Sequence, residues 1–234
     1  MQMPADKSLV AAVRDGLATL GDPVKAPQMQ AYMKSEMPFR GVPTPARREL
    51  VRGLLAAWAP GERPVWEATV RMLWDGAEYR EERYAAIDVC GHRSARTWQD
   101  AAAMPMYEHL IVSGAWWDHV DAVAIHFAGP ILRADPDRVT PTIRRWMTAG
   151  DRWLRRSAII VQNGAKGATD TGLLAEAIDA NLDDGDFFLR KGIGWALREY
   201  AKTNPAWVRA FVATRELSPL SRREATKHLT GVAP

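Results

Sequence analysis

Cysteine is nearly absent from these 234 residues. The single Cys90 excludes an internal disulfide framework and leaves too few thiolates for a structural zinc site. Its setting, Tyr84-Ala-Ala-Ile-Asp-Val-Cys90, reads as that of a small core residue. Long apolar runs are missing too. No window approaches the roughly 18 uncharged apolar residues of a membrane span, and Met1 to Asp6 lacks a basic region followed by an apolar stretch. The chain therefore reads as cytoplasmic, with no membrane partner. Period-2 alternation is missing, which argues against half-buried strands. So are Walker A and Gly-x-Gly-x-x-Gly phosphate loops, a nucleophile elbow and a cysteine-histidine pairing. The five histidines (His92, His109, His119, His126, His228) show no His-Glu-x-x-His or comparable metal spacing. Neither a metal nor a cofactor is expected.

What is present is helical punctuation throughout. Pro, Gly, Asp and Ser signals bound candidate helices near 4–20, 27–36, 44–58, 63–76, 80–92, 97–112, 116–128, 138–148, 151–163, 170–181, 186–202, 204–214 and 220–229. Hydrophobic residues make up 47% of the chain, enough for a substantial core in a single domain over 1–234. Short helices joined by short turns recur at roughly 35 to 45 residues, the period of HEAT-like repeats. Arg80-Glu-Glu-Arg-Tyr-Ala-Ala-Ile87, Asp151-Arg-Trp-Leu-Arg-Arg-Ser-Ala-Ile-Ile160 and Phe187-Phe-Leu-Arg-Lys-Gly-Ile-Gly-Trp-Ala196 read as opening with charge and then turning small and aliphatic, as the inner helix of a solenoid pair would. An all-α solenoid with a concave inner face is the first architecture and a globular all-α bundle the second.

Charge is unevenly spread. Residues 187–234 hold nine Lys/Arg against three Glu, a surplus of +6, which leaves −3 for the rest of a chain whose net charge is +3. On charge alone this fits either a polyanionic partner, nucleic acid first, or a solvated basic face.

Ten tryptophans punctuate the sequence. Trp58, Trp66, Trp74, Trp98, Trp146 and Trp207 sit among aliphatic residues at helical spacing, as packing side chains do. Trp117, Trp153 and Trp195 have charged neighbours on their own stripes. In 116–128, Trp116, Val120, Val123 and Phe127 follow the i, i+4, i+7, i+11 pattern of a buried face, while Trp117 and Asp121 share another stripe about 100° away. An indole and a carboxylate projecting together call for a cationic partner. In 186–202, Leu189, Ile193, Ala196 and Tyr200 form the packing stripe, and Lys191, Trp195, Arg198 and Lys202 form a second one suited to phosphates. Arg152, Arg156 and Asn163 lie close to a common side of 151–163, where Arg155 and Arg156 read as phosphate ligands or surface ion-pair partners. Thr44 reads as an N-cap with Pro45 in the first helical position, ahead of Arg47 and Arg48. Ser221-Arg-Arg-Glu224 reads as a capping box.

Trp116-Trp-Asp-His-Val-Asp121, Trp153-Leu-Arg-Arg156 and Lys191-Gly-Ile-Gly-Trp-Ala-Leu-Arg-Glu-Tyr-Ala-Lys-Thr-Asn-Pro205 resemble the bacterial AlkD family of alkylpurine DNA glycosylases. So do Tyr32-Met-Lys34 with Thr44-Pro-Ala-Arg-Arg48, and Leu217-Ser-Pro-Leu-Ser-Arg-Arg-Glu-Ala225, so that the resemblance spans nearly the whole chain. It implies a right-handed superhelix of HEAT-like repeats whose positively charged concave face holds duplex DNA. By the same match Asp121 is the catalytic carboxylate, and Trp117 and Trp195 are the aromatic pair at the deoxyribose. Arg156 stands near the lesion, and Tyr32, Thr44, Arg47, Arg198 and Lys202 contact the backbone, with Lys191 beside them. His119 departs from the small polar residue expected between the two motif carboxylates and reads as a rim residue.

The implied reaction is release of cationic N3- or N7-alkylated purines from duplex DNA by a monomeric, monofunctional glycosylase that leaves the base stacked and tolerates bulky adducts. A carboxylate and two π faces suit an oxocarbenium-like sugar. No lysine is placed as a Schiff-base nucleophile. Arg- and Ala-rich composition suits a high-GC organism, where relatives can serve in self-resistance against DNA-alkylating natural products. Two other readings stand beside this one: a catalytically silent HEAT protein for damaged or distorted DNA, and a protein-binding scaffold.

Overall fold

The computed structural model describes residues 5–229, all of whose regular elements are helical. The chain packs as two compact units, Met1–Gln99 and Asp100–Pro234. No helix among the described residues is long and apolar enough to cross a membrane.

The first unit contains α1 (Lys7–Thr19), α2 (Lys25–Met33), α3 (Thr44–Leu55), α4 (Arg63–Asp75) and α5 (Arg80–Cys90). α1, α3, α4 and α5 pack around Val13, Leu17, Val51, Trp66, Val70, Leu73, Trp74 and Val89. α2 buries none of its residues and stops at Lys34, whose φ of 50° puts it in the left-handed region. The connection into α3 is pinned by fully buried Glu81, whose carboxylate accepts the backbone N–H groups of Arg40, Gly41 and Val42 at 2.9–3.1 Å. Gly41 is required there: its φ is 83°, and a Cβ would stand 2.1 Å from the Asp22 carbonyl oxygen. Thr44 is the first residue of α3 and makes no capping bond. Pro43 occupies the N-cap position, one residue earlier than the sequence suggests.

The second unit contains α6 (Met104–Gly114), α7 (Trp117–Val123), α8 (Gly129–Ala134), α9 (Pro136–Met147), α10 (Arg152–Ile160), α11 (Thr171–Asp179), α12 (Phe187–Ala201), α13 (Pro205–Ala213) and α14 (Pro219–Thr226). The starts of α9 through α14 have a shared cause. Asp135, Asp151, Asp170, Asp186, Asn204 and Ser218 each accept a backbone N–H of the following first turn, a bond worth about 1 kcal/mol per helix. The cap of α14 is thus Ser218 and not Ser221. Ser221 is buried inside the helix and donates its hydroxyl to the Arg190 carbonyl.

Two candidate helices are interrupted. Asp100 caps Ala102, and the stretch 93–103 forms two 3₁₀ segments before α6 begins. Residues 124–128 form a π-helical stretch between α7 and α8, closed by the Gly129 N–H donating to the Ala124 carbonyl five residues back. The straight stripe expected from Trp116 to Phe127 is therefore broken at both ends. Trp116 is an extended N-cap residue outside the helix, and Phe127 lies within the π-helical stretch and stacks on Tyr107. Val120 and Val123 keep their fully buried places.

α10 lies at the centre of this unit, packing on α6, α7, α9, α11 and α12 through Leu154, Ala158, Ile159 and Ile160. α12 packs on α14 at a close crossing made by Gly194, where an added Cβ would meet Glu224 Cβ at 2.5 Å and the Ser221 carbonyl at 2.9 Å. In an isolated helix Gly→Ala stabilises by about 1 kcal/mol. Gly194→Ala should instead destabilise by about 1–3 kcal/mol through overpacking, measured by denaturant unfolding.

Candidate functional site

A recess of about 330 Å³ opens on the second unit, lined by Trp117, Asp121, Arg156, Phe187, Phe188, Lys191, Trp195, Arg198 and Glu224. α7 supplies Trp117 and Asp121, neighbours one helical turn apart. α10 supplies Arg156, and α12 supplies the aromatic and cationic side chains from Phe187 to Arg198. Trp117 is 38% exposed, whereas the Asp121 and Arg156 side chains retain only 13% and 6% of their accessible surface.

Asp121 and Arg156 form a bidentate pair. Arg156 Nε donates to Asp121 Oδ1 and Nη2 to Oδ2, both at 2.8 Å, while Nη1 donates to the Phe188 carbonyl at 2.6 Å. The same guanidinium stands 6.0 Å from the centre of the Trp195 ring. All three nitrogens of the arginine thus donate at least one hydrogen bond, and its position is fixed by two other helices. Burial pushes the Asp121 carboxyl above its ordinary pKa, and Arg156 acts in the opposite direction. Each carboxylate oxygen keeps a second lone pair beyond the one used by the arginine. The recess therefore offers an oriented anion beside two indole faces, with the anion's attraction moderated by its partner.

The cationic stripe of α12 is also matched from within. Glu224 of α14 accepts Lys191 Nζ at 2.8 Å and pairs with Arg198. The Lys191 hydrogen bond, with Arg198 beside it, holds the Glu224 carboxyl below the usual range. Sequence alone reads Glu224 as part of a capping box. Its spacing from Ser221 supports that reading, and nothing local signals a partner 33 residues away.

Six of the sequence-derived residues, Trp117, Asp121, Arg156, Lys191, Trp195 and Arg198, thus meet in one recess. Lys202 does not join them. It caps the C-terminal end of α12, pairs with Glu199 at 2.5 Å and lines a smaller recess. Tyr32, Thr44 and Arg47 lie in the first unit. Tyr32 is 81% exposed on α2 and Thr44 is exposed at the start of α3. Arg47 is buried instead of open to a phosphate: its Nε donates to Asp88 at 3.0 Å and its guanidinium lies 4.9 Å over the Tyr84 ring. Arg48, the next residue, is exposed.

Three further expectations change. Trp153 is buried and packs against Trp116 and Phe188, so it belongs to the wall behind the recess. Arg155 pairs with Asp184 at 2.6 Å, whereas Arg156 is a buried partner and neither a surface ion pair nor a free phosphate ligand. His119 is fully buried and not on the rim, because it points into the packed side of α7. Phe187 and Phe188 are lining residues that stripe analysis missed. Phe187 is 57% exposed at the mouth, and its position at the very start of α12 gives periodicity little to work with. Among the described residues no group of three or more His, Cys, Asp or Glu could hold a metal ion.

Removing one partner of a buried ion pair leaves the other uncompensated and costs about 3–5 kcal/mol. Arg156→Ala should lose stability on that scale in denaturant unfolding. Adding Asp121→Asn to it should recover part of the loss, giving a non-additive double-mutant cycle.

Comparison with known proteins agrees with this picture. A profile of the DNA alkylation repair enzyme family matches residues 13–229. A solved structure described as a predicted DNA alkylation repair enzyme from Enterococcus faecalis is 31% identical, covering 91% of this chain and 98% of its own, with a TM-score of 0.75. No curated protein matches the sequence. With nearly its whole length matched by the family profile, and with this helical architecture shared, the chain belongs to the DNA alkylation repair enzyme family.

Proposed function

We propose that this protein is a monofunctional DNA glycosylase that hydrolyses the N-glycosidic bond of cationic N3- or N7-alkylated purines in duplex DNA. The observation that carries the reading is the Asp121 carboxylate, oriented by Arg156 within a recess walled by the indoles of Trp117 and Trp195. The whole of 1–234 acts as one functional domain, as a monomer in the cytoplasm on chromosomal DNA. Bulky adducts, including those met in self-resistance, fall within its scope.

An alkylated purine already carries positive charge and leaves with little help from a general acid. The C1′–N9 bond breaks, both electrons go to the departing base and neutralise it, and the sugar becomes oxocarbenium-like. Asp121 faces that cation with lone pairs that Arg156 does not use, and the two π faces add attraction from the sides. Water attacks C1′, its proton passes to Asp121 or solvent, and an abasic site remains. The mouth of the recess, with exposed Phe187 and half-exposed Trp117, supports recognition of sugar and backbone without base flipping. Tyr32, Thr44, Arg198, Lys191 and Lys202 serve as backbone-binding positions in this reading, whereas Arg47 is buried and holds the start of α3 through Asp88.

A second reading, a silent protein for damaged or distorted DNA, has one observation in its favour. Both Asp121 oxygens are held by Arg156, as in a purely structural pair. Mass spectrometry of bases released from alkylated duplex separates the two. The glycosylase releases 7-methylguanine or a bulkier alkylpurine; the silent binder releases nothing. Asp121→Asn should lose most single-turnover excision, on the order of a hundredfold or more from the removed electrostatic stabilisation, while duplex affinity persists. Unchanged excision by that variant would overturn the assignment of Asp121.

The pH dependence has a defined sign. The Asp121 carboxyl is raised above 3.8 by burial, and only its ionised form stabilises the cation. Excision should therefore fall as pH is lowered through a value above 3.8, and stability contributed by the protonated carboxyl should rise over the same interval. Single-turnover rates across the acid range, corrected for spontaneous depurination, check the first; the difference between wild-type and Asp121→Asn melting across the same pH series checks the second, since the other carboxyls are common to both.

A further inference from the structure

Glu224 is placed beside Trp195 by backbone packing. An added Cβ on Gly194 would meet Glu224 Cβ at 2.5 Å, so α14 lies directly against the residue before the tryptophan. α14 is held in that position: Ser221 donates its hydroxyl to the Arg190 carbonyl, and Arg222 Nη2 donates to the carbonyls of Val212 and Arg215. Lys191 and Arg198, which share the Glu224 carboxylate, stand four residues before Trp195 and three after it. Along a helix axis that separation is about 10 Å, so two long side chains converge on one carboxylate from a turn on either side of the indole. Glu224 keeps only 14% of its side-chain surface and lines the reaction recess together with Trp195.

Stability does not call for this arrangement. Burying a carboxylate costs its hydration, and ion pairs at a partly exposed rim return little of it, so an apolar residue would serve the packing as well. What two cations gain from one anion is orientation. A lysine and an arginine one turn from a tryptophan are drawn to its π face when nothing else holds them. A cation lying there would cover the ring and put positive charge where a sugar cation is to form. The Glu224 carboxylate prevents both effects, since it holds Lys191 Nζ at 2.8 Å and pairs with Arg198 beside it. One cation does stand near the ring. It is Arg156, 6.0 Å from the centre of Trp195, and its charge is matched by Asp121.

We propose that Glu224 is a positioning residue for the reaction: it holds Lys191 and Arg198 away from the indole face of Trp195 that receives the sugar. The proposal rests on the glycosylase reading and deepens it, adding to the oriented anion at Asp121 a second carboxylate that acts only through two cations. An incoming phosphodiester shares those cations with Glu224 and finds them already clear of the ring.

The test uses the full chain, with single-turnover excision of 7-methylguanine at saturating protein and fluorescence anisotropy on a duplex carrying a tetrahydrofuran abasic analogue. Glu224→Gln keeps the size but offers one acceptor oxygen in place of two, so one cation is released. The excision rate should fall roughly tenfold while duplex affinity does not weaken, because misplacement at the reacting centre acts on the bound complex. Adding Lys191→Met removes a released cation and should recover several-fold of that loss, although the double variant binds more weakly. A merely structural carboxylate would give additive losses instead. Glu224→Asp draws the charge back by one methylene, should lose several-fold, and should regain rate with Lys191→Met in the same way. That variant carries the test if melting shows that Glu224→Gln does not fold. A folded Glu224→Gln with the wild-type rate, or a double variant slower than the single one, overturns the role while wild-type excision leaves the reaction standing. A wild-type protein that releases no base refutes the reaction, and the positioning role with it.

Discussion

The second unit is organised around a pair of 2.8 Å hydrogen bonds between Arg156 and Asp121. Removing both charges from water is expensive, and their mutual attraction offsets that cost only with good geometry and no idle donor. The geometry is supplied from three directions: α10 carries the arginine, α7 carries the aspartate, and the Phe188 carbonyl at the start of α12 takes a third donor. Gly192 belongs to the same arrangement, since an added Cβ would lie 3.2 Å from Arg156 Nη1. Three helices are thereby fixed at one point. The exposed indole of Trp117 and the half-buried indole of Trp195 inherit their positions from it.

Formal charge describes this protein poorly until partners are counted. The basic C-terminal quarter reads in sequence as a set of available cations. In the folded unit Lys191 and Arg198 share Glu224, Lys202 takes Glu199, and Arg215 takes Asp179. Such exposed or half-exposed pairs hold little energy each, on the order of 0–1 kcal/mol, so a polyanion can compete for them. Their effect is to give each cation a resting orientation. Arg47 is the opposite case, buried against Asp88 and Tyr84 and held in place.

Much of the fold was legible because helix punctuation is local. Asp135, Asp151, Asp170, Asp186 and Asn204 stand where a sequence reader looks for caps, and each makes the bond. Errors arose where two signals lay close together. Ser218 and Ser221 both precede a basic stretch, and Pro219 decides for the earlier one by occupying the first turn. Thr44 lost its capping role because Pro43 already occupies that position. In the recess, helical phasing correctly separated Trp117 from Val120 and grouped Lys191, Trp195 and Arg198. It could not reveal that Trp153 is a wall residue or that Glu224 reaches Lys191, since both depend on which helices meet. The position of Lys202 outside the recess has a simpler cause: α12 ends at Ala201, and the chain turns before the stripe is complete.

The π-helical stretch at 124–128 has a consequence for chain length. It holds one residue more per turn than the helices on either side, and Gly129 follows it so closely packed that a Cβ would be 2.2 Å from the Val161 carbonyl. Five residues at about 80° each turn through the same angle as four ordinary helical residues at about 100°. Deleting one residue there would therefore convert the stretch to ordinary helix and leave Ile131 and Leu132 facing the core, with Trp117 and Asp121 unmoved upstream. The step is thus a place where the chain can gain or lose a single residue without turning the reacting face of α7 against the packing of α8.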